Sequence, residues 1–289
     1  MKLRKHVSSR AVALETTLLV HGVPAGSARR LAADLGKIVE DEGSTPALIG
    51  VVDGVPTAGM SMGQLGAMLD AESVAKANTA NLGVYLSRGM HAATTVSTTM
   101  EIAAFAGLRM FATGGLGGVH HGYGTQLDVS ADLMAFTRYP IAVVTSGVKS
   151  ILDVVSTREA LETLGVMVVG YKTDSFPAFY LRESEAQVDA RFDDADELAD
   201  FVRIELARSG RGIVIANPIP AEHELDRSEW SGWLDESRAL AESEGVRGRA
   251  VTPSVLGHLH AVSKGKTLEA NIELVKSNAK LAAMIESRL

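Results

Sequence analysis

Short apolar segments that alternate with helical segments constrain the fold of this chain more than any other feature of its sequence. The predicted strands, such as Ile141–Thr145 and Val166–Gly170, are almost continuously apolar, and strands of this kind are buried on both faces of a parallel sheet. The segment between them, Thr157–Leu164, has a helical pattern. The sequence therefore predicts an α/β fold, with a mostly parallel sheet flanked by helices on both faces.

The same alternation extends over most of the chain. Further strands are predicted at Ala11–Leu14, Ser73–Ala75, Leu108–Ala112 and Gly212–Ala216, and a hairpin at Ala47–Val52 and Val55–Met60 around Asp53-Gly54. Further helices are predicted at Ser27–Glu42, Ser61–Leu69, Val96–Ala106, Ala195–Arg208 and Leu268–Ser287. After Asn217-Pro218-Ile219-Pro220 the chain becomes helical and more charged, and no linker precedes this part. We therefore expect residues 1–289 to form one domain with a helical C-terminal elaboration.

Composition limits the partners and the compartment. The net charge of −7 argues against a nucleic-acid partner, because such binding relies on clustered Lys and Arg. The absence of cysteine excludes disulfides, Cys-ligated zinc and cysteine nucleophiles. No segment reaches the roughly 18–20 apolar residues of a membrane span, and Glu15 interrupts the apolar N-terminal stretch that a signal peptide would need. We expect a cytoplasmic protein that contacts neither nucleic acid nor membrane.

Polar or small residues follow several predicted strands, where open α/β sheets bind their ligands. The first group is Glu15-Thr16-Thr17; a partly buried carboxyl here would suit general acid catalysis, although a helix-capping or solvated glutamate fits the pattern too. The second is the glycine-rich segment Phe111–Gly122, whose backbone N–H groups could approach a phosphate or a sugar. His120 stands where a dinucleotide-binding motif has its third glycine, which argues against a nicotinamide-dependent oxidoreductase.

Two more groups carry charged side chains. Asp128-Val129-Ser130-Ala131-Asp132 offers carboxylate oxygens of the kind that bind Mg²⁺ or Mn²⁺, and the same residues are equally typical of a helix start. Lys149 follows an apolar strand and stands between Val148 and Ile151. A lysine in apolar surroundings favours its neutral amine, which can attack a carbonyl or a sugar carbon. A salt bridge to Asp153 is the structural alternative.

These groups lie in blocks that resemble the pseudouridine-5′-phosphate glycosidase family. The longest blocks are ATGGLGGVHHG, PIAVVTSGVKSILDVVSTREALETLGVMVVGY and KTLEANIELVKSNAKLAA, and shorter ones are ALETTLLVHGVP, AATTVSTTM, QLDVSADL, FPAFYLR and ANPIP. The resemblance spans almost the whole chain in the same order. It implies an enzyme of the lyase or hydrolase type that reversibly cleaves the carbon–carbon glycosidic bond of pseudouridine 5′-phosphate. The products are uracil and ribose 5-phosphate, and ring-opened ribose is held as an imine on a lysine.

The resemblance also implies roles for individual residues. Lys149 matches the imine-forming lysine and Glu15 the acid–base glutamate. Asp128 matches the ligand of a divalent ion, Mn²⁺ or Mg²⁺, with one ion per subunit. Ribose-phosphate contacts match Lys76, Val96, Ser130, Ala131 and Asp132, with Thr113 and His120 as further candidates, and Asn271 matches an asparagine that supports the reacting sugar. Family members are trimers, so the resemblance implies a homotrimer.

Two departures from the family pattern concern the ring that is joined to ribose. After Lys76, residues that are charged in the family are replaced by the neutral Ala77-Asn78-Thr79-Ala80-Asn81, and His121 stands where the family usually has arginine. We expect the neutral segment to reshape the aglycone side of the site rather than the phosphate side; free drift of a surface segment is the alternative.

Two other functions stay open. A C-ribosyl synthase of the same family would join ribose 5-phosphate to a non-uracil aromatic acceptor in natural-product biosynthesis. A non-catalytic sugar-phosphate sensor would bind the same ligand, but it would need neither Glu15 nor Lys149.

Overall fold

The computed structural model describes residues 2–122, 124, 127–245 and 251–289. The strands are β1 (Arg4–Lys5), β2 (Ala11–Glu15), β3 (Thr45–Val52), β4 (Val55–Ala58), β5 (Ala75–Ala77), β6 (Ala92–Thr94), β7 (Met110–Ala112), β8 (Ala142–Thr145), β9 (Val168–Tyr171), β10 (Ala190–Phe192) and β11 (Ile213–Ala216). The helices are α1 (Ala25–Asp41), α2 (Met62–Asp70), α3 (Leu82–Ser87), α4 (Val96–Phe105), α5 (Ala131–Phe136), α6 (Val154–Thr163), α7 (Ala195–Ser209), α8 (Arg227–Ser243), α9 (Val251–Val262) and α10 (Lys266–Glu286). A π-helical turn covers Leu18–Gly22, and a 3₁₀ turn covers Ala221–His223.

All these strands belong to one sheet. Its order is β1-β4-β3-β2-β7-β8-β11-β9-β10, and β6, which also pairs with β5, joins it at β3. Neighbouring strands are parallel except that β4 and β6 run antiparallel to β3. Every residue of β7, β8 and β11 is buried, as expected where helices cover both faces of a parallel sheet. The predicted α/β fold is confirmed.

Helices from both ends of the chain cover the sheet. Helix α10 lies across β2, β7 and β8, with α1 and α7 beside it, while α4 packs on β2, β3, β4 and α5. Helix α10 buries an apolar stripe that includes Leu274, Leu281 and Ile285. Helices α8 and α9 pack on each other and complete the helical C-terminal part. No helix in the described ranges is long and apolar enough to span a membrane.

Local sequence signals place several elements correctly. The hairpin around Asp53-Gly54 is confirmed by the antiparallel pairing of β3 and β4. Ser61 begins α2 as predicted: its hydroxyl accepts from the Gln64 N–H at 3.2 Å, and the Gln64 side chain accepts from the Ser61 N–H at 2.9 Å. The long C-terminal helix is confirmed as α10.

Other elements differ from the prediction. The strand predicted at Ser73–Ala75 lies two residues later, as β5. Helix α6 starts before Thr157 because the Asp153 carboxylate caps it, accepting from the Ser156 N–H at 2.9 Å. Strands β1, β6 and β10 were not predicted, since each has only two or three residues and lies outside any longer apolar segment.

Candidate functional site

A cavity of about 520 Å³ opens where the central parallel strands end. Glu15 ends β2, the glycine-rich segment follows β7, and Lys149 follows β8. Because these three strands are neighbours in the sheet, their carboxyl ends bring the predicted groups together. Lys76 from β5 and Asn271 from α10 also line the cavity.

The Glu15 carboxyl is half-buried at the cavity wall, and its Oε1 accepts a hydrogen bond from the Thr113 hydroxyl. Burial raises the pKa of Glu15 above its ordinary value, against the lowering effect of the Lys149 charge and the Thr113 hydrogen bond. The Asp132 carboxylate raises this pKa further, and the Lys76 ammonium lowers it. A carboxyl with a raised pKa keeps its proton to higher pH and so suits general acid catalysis, which is the property predicted for this residue.

The backbone of Lys149 is fixed by pairing with the glycine-rich segment. Its N–H donates to the Leu116 carbonyl at 3.0 Å, and the Leu116 N–H donates to the Gly147 carbonyl at 2.9 Å. Gly147 has a φ of +81°, and a Cβ at this position would lie 1.7 Å from the Pro177 carbonyl oxygen. Only glycine fits there. The resulting tight turn places the Lys149 side chain in the same cavity as Glu15.

Lys76 brings a second ammonium group into the cavity. Burial lowers the pKa of Lys76, and the like charge of Lys149 lowers it further. The carboxylates of Glu15 and Asp132 oppose this shift. The amine side chains of Lys76 and Lys149 are groups of the cavity that suit an anionic ligand such as a sugar phosphate.

Asp132 is a buried carboxylate that links two helix starts to the glycine-rich segment. Its Oδ1 accepts from the Ser97 N–H, in the first turn of α4, and its Oδ2 accepts from the Gly117 N–H, both at 2.9 Å. A Cβ at Gly117 would lie 2.7 Å from this Oδ2. The remaining predicted ribose-phosphate contacts stand at the starts of α4 and α5, near Asp132 rather than on the cavity wall: Val96, Ser130 and Ala131.

Protein groups already bind part of the glycine-rich segment. The N–H groups of Leu116, Gly117 and Val119 donate to protein acceptors at distances of 2.9–3.0 Å. Gly114 and Gly115, in contrast, line the cavity. The ligand-facing part of the predicted phosphate- or sugar-binding loop is therefore its beginning, and the following glycines form a structural turn.

His120 and Asp128 lie together beyond this turn. The His120 N–H donates to the Asp128 carbonyl at 3.0 Å, and the His120 Nδ1 is 3.9 Å from Asp128 Oδ2. The Asp128 side chain is 50% exposed. Within the described ranges, no group of three or more His, Asp or Glu side chains is placed to hold a metal ion. One carboxylate with one nearby histidine fits an ion that retains most of its waters, and not a closed zinc site.

Several side chains that line the cavity were not predicted from the sequence, among them His21, Phe179, Tyr180 and His260. Phe179 has a φ of 63°, and its ring lies 2.5 Å from where a Cβ at Gly115 would stand. A non-glycine residue in this conformation is uncommon, and such residues cluster at functional sites. The blocks ALETTLLVHGVP and FPAFYLR, which contain His21, Phe179 and Tyr180, were the available signal.

The neutral segment after Lys76 folds into a turn of its own. Asn78 Oδ1 accepts from the N–H groups of Ala80 and Asn81 at 2.9 and 3.1 Å, and Asn81 Oδ1 accepts from the Asn78 N–H at 2.8 Å. Asparagine commonly stabilises turns in this way. Lys76 lines the cavity, but the residues of this turn do not. The expectation that the turn forms the aglycone side of the site is therefore not supported.

Asn278 joins α10 to the ends of three central strands. Its Nδ2 donates to the Thr113 carbonyl at 2.8 Å and to the Ser146 hydroxyl at 3.1 Å, and its Oδ1 accepts from Asn217 Nδ2 at 2.9 Å. These partners follow β7, β8 and β11. The fully buried amide of Asn278 thus holds the segments after β7 and β8, which carry Thr113 and Lys149, against α10.

Replacing Asn278 with leucine is expected to destabilise the protein by about 2 kcal/mol, because buried groups of Thr113 and Asn217 lose their partner while shape is nearly kept. Denaturant unfolding measures this. The control is Ser277→Ala, which removes one hydrogen bond from Asn217 at 3.1 Å and should have a smaller effect. Equal effects of the two changes would contradict the assigned role of Asn278.

Comparison with known proteins agrees with this geometry. A family model described as indigoidine synthase A like protein matches residues 4–288. The pseudouridine-5′-phosphate glycosidase of Caldanaerobacter subterraneus is 43% identical over 280 residues, which cover 96% of this chain and 91% of that protein. The protein of the same name from Dinoroseobacter shibae is 42% identical over 275 residues, covering 95% of this chain and 90% of that protein.

Two solved structures share the fold. The crystal structure of an indigoidine synthase A-like protein from Thermotoga maritima matches with a TM-score of 0.90 and 34% identity, covering 99% of this chain and 96% of that one. The prealnumycin C-glycosynthase AlnA, solved in complex with ribulose 5-phosphate, matches with a TM-score of 0.91 and 32% identity, covering 100% and 98%. With near-complete coverage in sequence and structure, this chain belongs to the pseudouridine-5′-phosphate glycosidase family of indigoidine synthase A-like proteins.

Proposed function

We propose that this protein is a C-glycosidase that reversibly cleaves pseudouridine 5′-phosphate to uracil and ribose 5-phosphate. The observation that carries the proposal is that Glu15, a carboxyl whose pKa burial raises, shares one cavity with the amine of Lys149. Lys76 adds a cation for the phosphate. The names of relatives that are 42–43% identical over most of the chain support the same reaction.

In the proposed reaction, Lys149 Nζ bonds to the anomeric carbon of the ribose while the bond from that carbon to the ring oxygen breaks. Glu15 gives the ring oxygen a proton and then takes one from the added amine. The carbon–carbon bond to uracil breaks next: its electron pair stays on the uracil ring, which receives the proton from Glu15, and the anomeric carbon forms an imine with Lys149. Water hydrolyses the imine and releases ribose 5-phosphate and the free lysine.

The C-ribosyl synthase is the second candidate, because AlnA, a C-glycosynthase, shares the fold over the whole chain at 32% identity. The same lysine imine would serve bond formation with an aromatic acceptor. The sequence of AlnA is less similar to this chain than the sequences of the glycosidases are. This difference supports cleavage of pseudouridine 5′-phosphate as the main reaction.

One experiment separates these functions. The protein is incubated with pseudouridine 5′-phosphate, and in parallel with ribose 5-phosphate and either uracil or a panel of aromatic acceptors, with Mn²⁺ present. We expect uracil release and the reverse formation of pseudouridine 5′-phosphate. C-riboside formation with another acceptor but not with uracil would establish the synthase instead. Binding of ribose 5-phosphate without turnover would establish the sensor.

The proposed metal site is the Asp128 carboxylate, with His120 beside it, holding one largely hydrated Mn²⁺ or Mg²⁺ per subunit. A bound ion would offset the negative charge of the substrate phosphate. Asp128→Asn is expected to weaken Mn²⁺ binding about tenfold, because a charged ligand is replaced by a neutral one. Electron paramagnetic resonance of free Mn²⁺ measures this without turnover, with the exposed Asp174 changed to Asn as control. Full activity after exhaustive chelation would show the ion to be dispensable.

The proposed assembly is the homotrimer that the resemblance implies. A set of apolar side chains supports an interface between copies: Leu127, Val129, Met134 and Val155 are 76%, 40%, 45% and 42% exposed. Val129 and Asp153 both form bridges to Val119, so the segments that carry these side chains adjoin. Light scattering should give about three times the 30.5 kDa chain mass.

A further inference from the structure

Part of the cavity wall has no role in the proposed chemistry at the anomeric carbon. It is mainly apolar and is formed by Leu18, Val23, Pro24, Ile151, Tyr180 and Gly257. A flat ring leaving or joining ribose would gain apolar contact on such a wall. The polar edge of that ring would lose water there, which costs free energy unless a protein group takes the place of the water. The polar groups of this wall therefore decide which ring is accepted.

Two polar side chains near this wall are already bonded to the protein. The Thr17 hydroxyl donates to the Thr94 carbonyl at 2.7 Å, and His21 is held by a hydrogen bond to the Ala75 backbone. His260 differs from both. Its Nδ1 lies 2.9 Å from the Thr267 hydroxyl, while its Nε2 has no hydrogen-bond partner in the part of the chain that the structure describes.

Buried hydroxyls orient the His260 ring. Thr267 Oγ1 also lies 2.9 Å from the hydroxyl of Ser263, and both side chains are buried. Burial lowers the pKa of His260 below its ordinary value, which favours the neutral ring. When Ser263 donates to Thr267 and Thr267 donates to Nδ1, the ring proton resides on Nε2. A ring held in this way loses little conformational entropy when it binds a ligand.

Helix α10 carries both Thr267, which contacts His260, and Asn271, which the resemblance assigns to the reacting sugar. Thr267 and Asn271 are one turn apart on the same face of α10, a rise of about 6 Å. Asn271 is 9% exposed, its Oδ1 has no hydrogen-bond partner among the described residues, and it stands beside Gly114 in the part of the cavity that holds Glu15. His260 contacts the residue one turn before Asn271, and both side chains line the same cavity, so one ligand can meet both of them.

We propose that His260 determines base specificity by donating a hydrogen bond from Nε2 to a carbonyl oxygen on the ring of the aglycone, while Asn271 serves the sugar. The proposal rests on the function proposed above and adds to it the group that reads uracil. It predicts that the accepted ring carries a carbonyl oxygen at the edge remote from the bond that breaks. Thr267 acts as a positioning residue for His260.

Product inhibition by uracil tests this role separately from the chemistry. We expect His260→Ala to weaken uracil inhibition of pseudouridine 5′-phosphate cleavage about tenfold, the effect of one lost hydrogen bond of about 1.4 kcal/mol. Borohydride trapping of ribose 5-phosphate on Lys149, which involves no base, should stay within about twofold of the wild type. Thr267→Val should weaken uracil inhibition in the same direction, and His260→Gln, which keeps a donor, should restore part of it.

A matched control and two uracil analogues complete the test. His258 lies on α9 as well, but its Nε2 pairs with Glu244 Oε2 at 3.0 Å and it does not line the cavity. His258→Ala should leave uracil inhibition unchanged. Two pyrimidinones each lack one of the two carbonyl oxygens of uracil. The pyrimidinone without the oxygen that His260 contacts should inhibit the wild type and the His260→Ala protein equally.

The outcomes are distinct. If wild-type protein cleaves pseudouridine 5′-phosphate but His260→Ala leaves uracil inhibition unchanged, the inference about His260 is wrong and the proposed function stands. If His260→Ala lowers both the borohydride trapping of ribose 5-phosphate and the inhibition by uracil, His260 is a structural residue. The inference about His260 is then overturned as well. A wild-type protein that neither cleaves pseudouridine 5′-phosphate nor traps ribose 5-phosphate would contradict the proposed function itself.

Discussion

Replacing Lys149 with alanine is expected to lower the rate of pseudouridine 5′-phosphate cleavage by about 10³-fold or more, because the covalent bond between this lysine and the sugar is lost. Binding of ribose 5-phosphate should change only a few-fold, since Lys76 still faces the cavity. Equilibrium binding and single-turnover rates separate the two effects. Lys280→Ala is a suitable control: this lysine lies on α10 with 62% of its side chain exposed and does not line the cavity.

The cavity contains a second amine that could form an imine. Burial lowers the pKa of Lys76, which favours the neutral amine that imine formation needs. Borohydride reduction in the presence of ribose 5-phosphate, followed by peptide mass spectrometry, distinguishes the two lysines. We expect the reduced sugar on Lys149, because its tight turn after β8 places it beside Glu15 and the glycine-rich segment. A label on Lys76 would reverse the roles of the two residues.

Strand ends account for the part of the site that could be predicted from the sequence. An apolar segment identifies a buried strand, and the first polar residue after it marks the ligand-binding edge of the sheet. This reasoning placed Glu15 and Lys149 at the ends of β2 and β8, and the structure brings both into one cavity. The raised pKa expected for Glu15 also follows from its burial there.

Residues that reach the site through tertiary packing could not be predicted in this way. His260 and Asn278 lie on helices whose sequences show only a helical period, and their partners are 7 and 165 positions away along the chain. Phe179 enters the cavity because its backbone adopts a φ of 63°, which its residue type does not signal. At the turn Asn78–Asn81 the loss of charge suggested a change of ligand, but the side-chain oxygens of both asparagines accept hydrogen bonds from backbone N–H groups of the same turn.

The second large effect is expected on the free energy of unfolding, and it comes from Glu286, a buried carboxyl at the end of α10. Glu286 is 1% exposed, and neither carboxylate oxygen has a hydrogen-bond partner in the described part of the chain. Burial raises the pKa of Glu286 to about 7, and the Arg109 guanidinium, 3.9 Å away, with Arg10 opposes this rise only in part. The charged form is thus disfavoured in the folded protein relative to the unfolded chain, where the pKa is near the ordinary 4.5.

The direction of the pH effect follows from this shift. Below about pH 4.5, Glu286 is protonated in both states and no penalty exists. Between pH 4.5 and about 7 the unfolded chain loses its proton first, so the free energy of unfolding falls as pH rises. Above pH 7 the penalty is complete and amounts to about 3 kcal/mol, at 1.36 kcal/mol per pKa unit.

Glu286→Gln is therefore expected to be more stable than the wild type at pH 8 by up to about 3 kcal/mol, and nearly equal to it at pH 4.5. Denaturant unfolding at both pH values, at one protein concentration, measures the difference, and other titrating groups cancel because they are common to both proteins. Glu269→Gln is the matched control, because this glutamate lies on α10 but is exposed. If the stability difference between Glu286→Gln and the wild type were the same at both pH values, the pKa of Glu286 would be equal in the folded and unfolded states, and the shift attributed to burial would be refuted.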